Sequence, residues 1–196
     1  MPPDPSGAAG TGPQAEVAAG RRMGSPVHLV RRFAGMLVPI GPGAADRAWA
    51  QEHLLDDEAA LFDRMKAADR RHAVGVARRV DEALGPRATR PVLAAALLHD
   101  VGKIESHLGV YGRTVATLSA MAVRGDPESI RTWTRMKGFT RRVGLYLQHP
   151  KLGGDLLALA GSDPLTEAWA REHHLPPERW SVPADLGRVL KDCDDD

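Results

Sequence analysis

From residue 44 onward apolar side chains recur at helical spacing, and no run alternates in the way a strand demands. The pattern predicts short helices over 45–53 and 57–65. A longer one follows over 70–84, with Asp69 as its N-cap and Gly85-Pro86 as its stop. Thr89 and Pro91 mark the start of the next helix, an almost uninterrupted apolar run to Leu98 that continues into His99-Asp100 and ends near Gly102. Further helices are expected over 111–123, from Asp126-Pro127, over 140–148, from His149-Pro150 to Leu159, over 164–174 and over 183–194. The fold class expected is all-α, a bundle of about seven to ten helices with no significant sheet. No internal repeat is present.

Upstream of Gly41-Pro42-Gly43 the pattern changes. Residues 1–24 are rich in Pro, Gly, Ala and Ser with almost no large apolar side chains, so they cannot bury enough surface to offset ordering, and disorder is expected. Residues 27–37 mix Val, Leu, Phe and Met with Arg31 and Arg32, which predicts a short amphipathic helix packed on the domain. The expected organisation is a disordered segment over 1–24 and one helical domain over 25–196.

Composition narrows the class. The 196 residues carry 26 Lys+Arg against 25 Asp+Glu, a balance that argues against a nucleic-acid coat or a membrane-surface binder. The single cysteine, Cys193, allows no internal disulfide. No apolar stretch approaches the roughly 20 residues needed to span a bilayer. The start of the chain lacks a signal core. A cytoplasmic protein with no membrane partner and no specific nucleic-acid partner is expected.

The chemistry begins at Leu97-Leu98-His99-Asp100-Val101-Gly102-Lys103. A histidine and an aspartate at the end of a buried run need partners, because an unpaired buried charge is costly. A divalent metal would accept the imidazole nitrogen and the carboxylate oxygen together. Other helices carry further candidates: His72, His149 before Pro150 and Gly153-Gly154, the pair His173-His174, and the acidic run 192–196. A helical bundle can point such side chains into one core site. Imidazole plus carboxylate suits Fe, Mn, Co, Ni or Zn better than Ca. His28, His53 and His107 read as ordinary surface or hydrogen-bonded histidines. Trp169 and Trp180 read as core or lid residues, and the basic stretch 131–142 as a solvated helix face, or else as a mouth that attracts a polyanion.

The ordered set His72, His99-Asp100 and a late aspartate, with the phrase His99-Asp100-Val101-Gly102-Lys103, resembles the HD-domain superfamily of metal-dependent phosphohydrolases. The resemblance covers residues 69–194. His149-Pro150-x-x-Gly153 and His173-His174 resemble the additional ligands of its two-metal branch, as in the HD-GYP phosphodiesterases and the HD-type dinucleoside tetraphosphate hydrolases. Asp194 is taken as the late ligand, because Val189-Leu190-Lys191-Asp192-Cys193-Asp194 looks like the family's closing apolar helix. Where the HD-GYP branch has Asp-Gly-x-Gly-Tyr-Pro, this chain has Leu175-Pro176-Pro177-Glu178-Arg179-Trp180, which points away from cyclic dinucleotides.

The resemblance implies a binuclear site. His72, His99, Asp100 and Asp194 would hold one ion, and Asp100, His149, His173 and His174 the second, with Asp100 as the bridge. The ions would be divalent transition metals (Fe, Mn, Co, Ni or Zn), with Mg as a further option. On an unbroken helix His173 and His174 would point about 100° apart, which would leave one of them behind the other. Lys103 would lie beside the site and hold phosphate or orient Asp100, so Asp100 and Lys103 are the expected catalytic residues. Arg71, Arg113 and Lys151 are nearby cations that could clamp phosphate. The expected reaction is attack of an activated water on a phosphate ester or anhydride of a small-molecule substrate, a nucleotide above all. A catalytically silent HD domain that binds a nucleotide or keeps metal as a crosslink is the alternative, and an HD-type di-iron oxygenase is a third.

Overall fold

The computed structural model describes residues 40–195. The expectations for residues 1–24 and 27–37 lie outside the described residues. Ten α-helices follow one another: α1 (Ala44–Glu52), α2 (Asp56–Arg64), α3 (Ala67–Leu84), α4 (Arg90–Leu98), α5 (Val110–Ala122), α6 (Pro127–Arg135), α7 (Gly138–Leu147), α8 (His149–Leu159), α9 (Pro164–Glu172) and α10 (Ala184–Asp195). Short 3-10 turns cover Gly85–Arg87, Val101–Ser106 and Pro177–Arg179. There is no strand among the described residues, and no described helix is long and apolar enough to cross a membrane.

α4 is the axis of the bundle. Its run Val92 to Leu98 is at most 2% exposed throughout, because it is apolar on every side and is covered by α3 on one flank and α9 on another. Three consecutive alanines, Ala94 to Ala96, let those neighbours approach closely. Burying each large aliphatic side chain of this run contributes roughly 1.5–3 kcal/mol. α10 packs along α3, α8 packs along α9, and the 3-10 turn Val101–Ser106 lies against α7 and α8. Leu108, Ala116 and Val143 form a second, smaller cluster, with Trp133, Tyr146 and Leu147 packed on it.

Two of the differences from the predicted boundaries have a clear physical cause. α3 begins at Ala67 with Lys66 in the N-cap position, three residues before the start expected from Asp69. Asp69 is instead a buried first-turn residue whose two carboxylate oxygens accept from Arg113 of α5, both at 2.6 Å. A fork-to-fork ion pair across the bundle outcompetes a local cap here. The apolar helix also does not run to Gly102. It stops at Leu98, and the backbone tightens into the 3-10 turn from Val101. At α6, Asp126 accepts the Ser129 N–H at 2.8 Å and Pro127 occupies the first turn.

Breaking a buried ion pair leaves an uncompensated charge, so Asp69→Ala is expected to destabilise the fold by about 3 kcal/mol. The apolar double variant Asp69→Leu/Arg113→Met should lose less than either single variant. Urea unfolding of the three proteins checks both expectations.

Candidate metal centre

Four helices end at one place. His99 is the C-cap of α4, His149 follows the end of α7 and opens α8, His173 is the C-cap of α9, and Asp194 lies in the last turn of α10. His72 comes from the second turn of α3. The last carbonyls of a helix lack intrahelical donors and carry its negative pole. Three of the histidines use them. His99 Nδ1 donates to Ala96 O at 2.9 Å, His149 Nδ1 to Tyr146 O at 2.7 Å, and His173 Nδ1 to Ala170 O at 3.0 Å. Each acceptor is three residues upstream, on the final turn of the preceding helix.

A carbonyl oxygen can only accept, so each Nδ1 carries a hydrogen. In the neutral ring, Nε2 is then a lone pair. All three Nε2 atoms face Asp100. His149 Nε2 lies 3.3 Å and His173 Nε2 3.7 Å from Asp100 Oδ1, while His99 Nε2 lies 3.4 Å from Asp100 Oδ2. The Nε2 atoms of His99 and His173 are buried and have no hydrogen-bond partner. Buried polar atoms are ordinarily satisfied, and a backbone-anchored imidazole with an open Nε2 is what metal ligation requires.

The donors fall into two groups that share Asp100. One is Asp100, His149, His173 and His174; the other is His72, His99 and Asp100, and within each group the donor atoms lie within 4.8 Å of one another. Asp194 adjoins the second group: its Oδ1 is 3.0 Å from His72 Nε2 and 3.6 Å from His99 Nε2. These buried His/Asp groups could hold a metal ion.

His173 and His174 both reach the first group, contrary to the expectation from helical spacing. α9 ends at Glu172, so the pair is not held on an unbroken helix. Their ring centroids are 4.0 Å apart, and His174 Nε2 lies 3.2 Å from His149 Nε2 at the open rim. Asp194 is the buried member of the terminal acidic run, whereas Asp192 and Asp195 are exposed. The end of α10 is clamped by Arg79, whose Nε and Nη2 donate to Cys193 O at 3.1 and 2.7 Å.

The electrostatics are strongly coupled. Burial pushes Asp100 up, but Lys103 and His99 outweigh it and hold the carboxyl well below its ordinary range. Lys103 Nζ donates to Asp100 Oδ2, and although burial opposes its charge, Asp100 raises it, so Lys103 stays protonated. His99 is buried too, yet the carboxylates of Asp100 and Asp194 raise it. Burial, then the neighbouring His99 and His174, depress His173 well below its ordinary value. Burial and His149 bring His174 down to about 4. Asp194 resists burial through its bond from His72 and stays low.

The other predicted cations lie elsewhere in the hydrogen-bond pattern. Arg113 is committed to Asp69. Lys151 pairs with Asp155 at 2.7 Å on the exposed side of α8. Arg71 donates to the Ile40 carbonyl. The positioning carbonyls of Ala96, Tyr146 and Ala170 were not singled out from sequence, although the i−3 spacing to each histidine could have suggested them. Nor was Gly102. A Cβ on Gly102 would fall inside contact distance of the His149 carbonyl and 2.5 Å from Gly153 N, so only glycine lets the turn after Asp100 lie directly on the segment that carries His149.

Gly102→Ala is expected to part these two segments and weaken metal retention by about 10-fold or more, as losses of positioning contacts do. Gly75→Ala is the control, since its Cβ meets only Arg79 Nη1, at 3.5 Å. Metal-competition titration checks both. A second expectation concerns pH. His174 is lowered from 6.5 to about 4 on folding, so below 6.5 the unfolded chain takes up a proton that the folded one refuses. The metal-free protein therefore loses stability from this group as pH falls from 6.5 towards 4, and the His174→Gln protein, which lacks the group, should lose correspondingly less over the same range. Urea midpoints of the two proteins at pH 7 and pH 4.5 measure it.

No protein-family model, no curated protein and no solved structure matches this chain.

Proposed function

We propose that the chain is a metal-dependent phosphohydrolase of HD type that hydrolyses a phosphate ester or anhydride at a binuclear centre. The observation that carries the reading is the two-sided environment of Asp100. One carboxylate oxygen faces His149 and His173, and the other faces His99 and Lys103. A shared carboxylate between two nitrogen-rich donor groups is the arrangement two neighbouring ions require.

The orphaned Nε2 atoms of His99 and His173 support the fit to a transition metal. On this reading His72, His99, Asp100 and Asp194 hold one ion, and Asp100, His149, His173 and His174 the other. Fe, Mn, Co, Ni or Zn suits these donors, with Mg the poorer match to imidazole. Bound divalent ions would supply Lewis acidity, which lowers the pKa of water towards neutrality and offsets charge on phosphoryl oxygens.

The remaining work belongs to the chain. The carbonyls of Ala96, Tyr146 and Ala170 fix the rings before any ligand arrives, so little reorganisation remains at the moment of reaction. Depressed His173 and His174 stay neutral and available as donors in mildly acidic solution. Lys103, held protonated, cannot act as a base. It orients Asp100 and adds a fixed positive charge where phosphoryl oxygens accumulate charge.

Purified protein supplied with Mn, Fe or Co is expected to retain close to two ions per chain and to hydrolyse nitrophenyl phosphates or members of a nucleotide panel. Asp100→Ala should lower that activity by at least about 100-fold, because both donor groups lose their shared member, while the helical circular dichroism signal is kept. Metal retention without hydrolysis of any panel member would overturn the hydrolase reading in favour of a structural metal.

A further inference from the structure

The outer face of α5 lacks the charges that a solvent-facing helix ordinarily carries. The one charged residue of the helix, Arg113, is committed to Asp69. Every exposed position is uncharged. Tyr111, Val115 and Leu118 fall on one line, at i, i+4 and i+7, with Met121 at its edge, and all four are between 44 and 80% exposed. Ala116, on the other side of the helix, is buried in a cluster with Val143 of α7. An uncharged, apolar outer line of this kind marks a surface that another element covers.

The described chain begins close to this helix. Arg71 donates to the Ile40 carbonyl, and a Cβ on Gly41 would touch Ala67, so residues 40 and 41 lie along the first turns of α3. The same turns are tied twice to the start of α5. Lys66 Nζ donates to Leu108 O at 2.6 Å, and Asp69 accepts from Arg113. Residues 1–39, which lie outside the described residues, therefore join the fold within a short reach of α5.

The last part of that joining chain has the complementary pattern. Ser25-Pro26 supplies a helix cap and a first-turn proline, and Pro39 a stop. Between them Leu29, Val30, Phe33, Met36 and Leu37 recur at i, i+1, i+4, i+7 and i+8, which makes one apolar stripe, and Arg31 falls opposite it. A helix over 27–38 would reach about 18 Å, and the 13 residues of α5 reach about 20 Å, so the two stripes match in length. A second copy of the chain fits this face less well. One face of a helix about 20 Å long and about 10 Å wide offers on the order of 200 Å², against roughly 800 Å² per partner in a standard stable interface. A tethered segment needs no such area, because its tether holds it at a roughly millimolar local concentration.

We propose that residues 27–38 form a helix that docks along the exposed face of α5, with the stripe of Leu29, Phe33 and Met36 covering Tyr111, Val115 and Leu118. The docked segment involves none of the metal-centre residues, so it stands or falls apart from the hydrolase reading.

Reaction of introduced thiols with a maleimide tests this in the full-length chain, each site being read at its own peptide by mass spectrometry. Leu118→Cys and Val115→Cys report on the face, and Leu159→Cys, at an 86% exposed position of α8, is the freely reacting reference. Both reporters are expected to react at least about 10-fold more slowly than the reference. Phe33→Asp, and independently Met36→Asp, should remove that protection, because a charge set against an uncharged apolar face is costly. Arg31→Asp, on the opposite side of the segment, should leave it intact. An unchanged reference rate and helical circular dichroism signal check that the fold is kept. Fast reaction of both reporters in the chain with native residues 27–38 would overturn the proposal. So would protection that survives both aspartate variants, and so would protection that is lost on dilution, which would make a second copy the cover.

Discussion

A carboxylate buried at the centre of a helical bundle is the constraint around which this structure is arranged. Asp100 sits at 6% exposure, directly after the most apolar segment of the chain, in a position where an uncompensated charge would be very costly. The bundle answers with Lys103 on one side and a ring of imidazoles on the others. Those imidazoles are themselves held by backbone groups that also needed partners. The free carbonyls at the ends of α4, α7 and α9 accept from His99, His149 and His173, so one set of hydrogen bonds completes three helix termini and aims three Nε2 atoms at Asp100. Helix termination and site assembly are thus a single structural event.

That economy explains why the site draws on the whole bundle. α4 brings the His-Asp pair to the centre because its apolar surface on all sides forces it there. α3 and α10 flank it and supply His72 and Asp194, whose mutual bond of 3.0 Å ties the end of the chain to the middle of the fold. Arg79 reinforces that tie by gripping the Cys193 carbonyl. On the opposite side, the contact between Gly102 and the His149 backbone brings the 3-10 turn and α8 together at a spacing no larger residue allows. The polar centre and the apolar packing therefore stabilise each other, and the partly open rim at His174 is where solvent meets the donors.

The candidate residues were legible to different degrees, for identifiable reasons. His99-Asp100 stood out because ionisable groups next to a buried run are rare. His72 and His149 could be aligned with it by order along the chain, since each lies on a different predicted helix, whereas the choice of Asp194 within the acidic run rested on the resemblance of 189–194 to the HD family's closing helix. Helical spacing misjudged His173 and His174, because it assumes an unbroken helix and α9 stops at Glu172. Asp69 looked like an N-cap, as an acidic residue before a helical run usually does, and is instead claimed by Arg113 from a helix 44 residues away. The same long-range pair removes Arg113 from the set of cations available near the centre, which its place in the chain did not reveal.

Apolar periodicity and the positions of Gly, Pro and Asp determined from the sequence alone that residues 40–195 form an all-helical fold, where most of its helices begin, and that His99-Asp100 closes a buried run. These properties are local: they depend on residues within a turn or two of one another. Which nitrogen of each ring faces inward, that Asp100 is shared by two donor groups, and that glycine is required at Gly102 were decided only by the tertiary structure. Each of these depends on the approach of segments far apart in the chain, and that approach is set by packing of the whole bundle rather than by any one stretch of it.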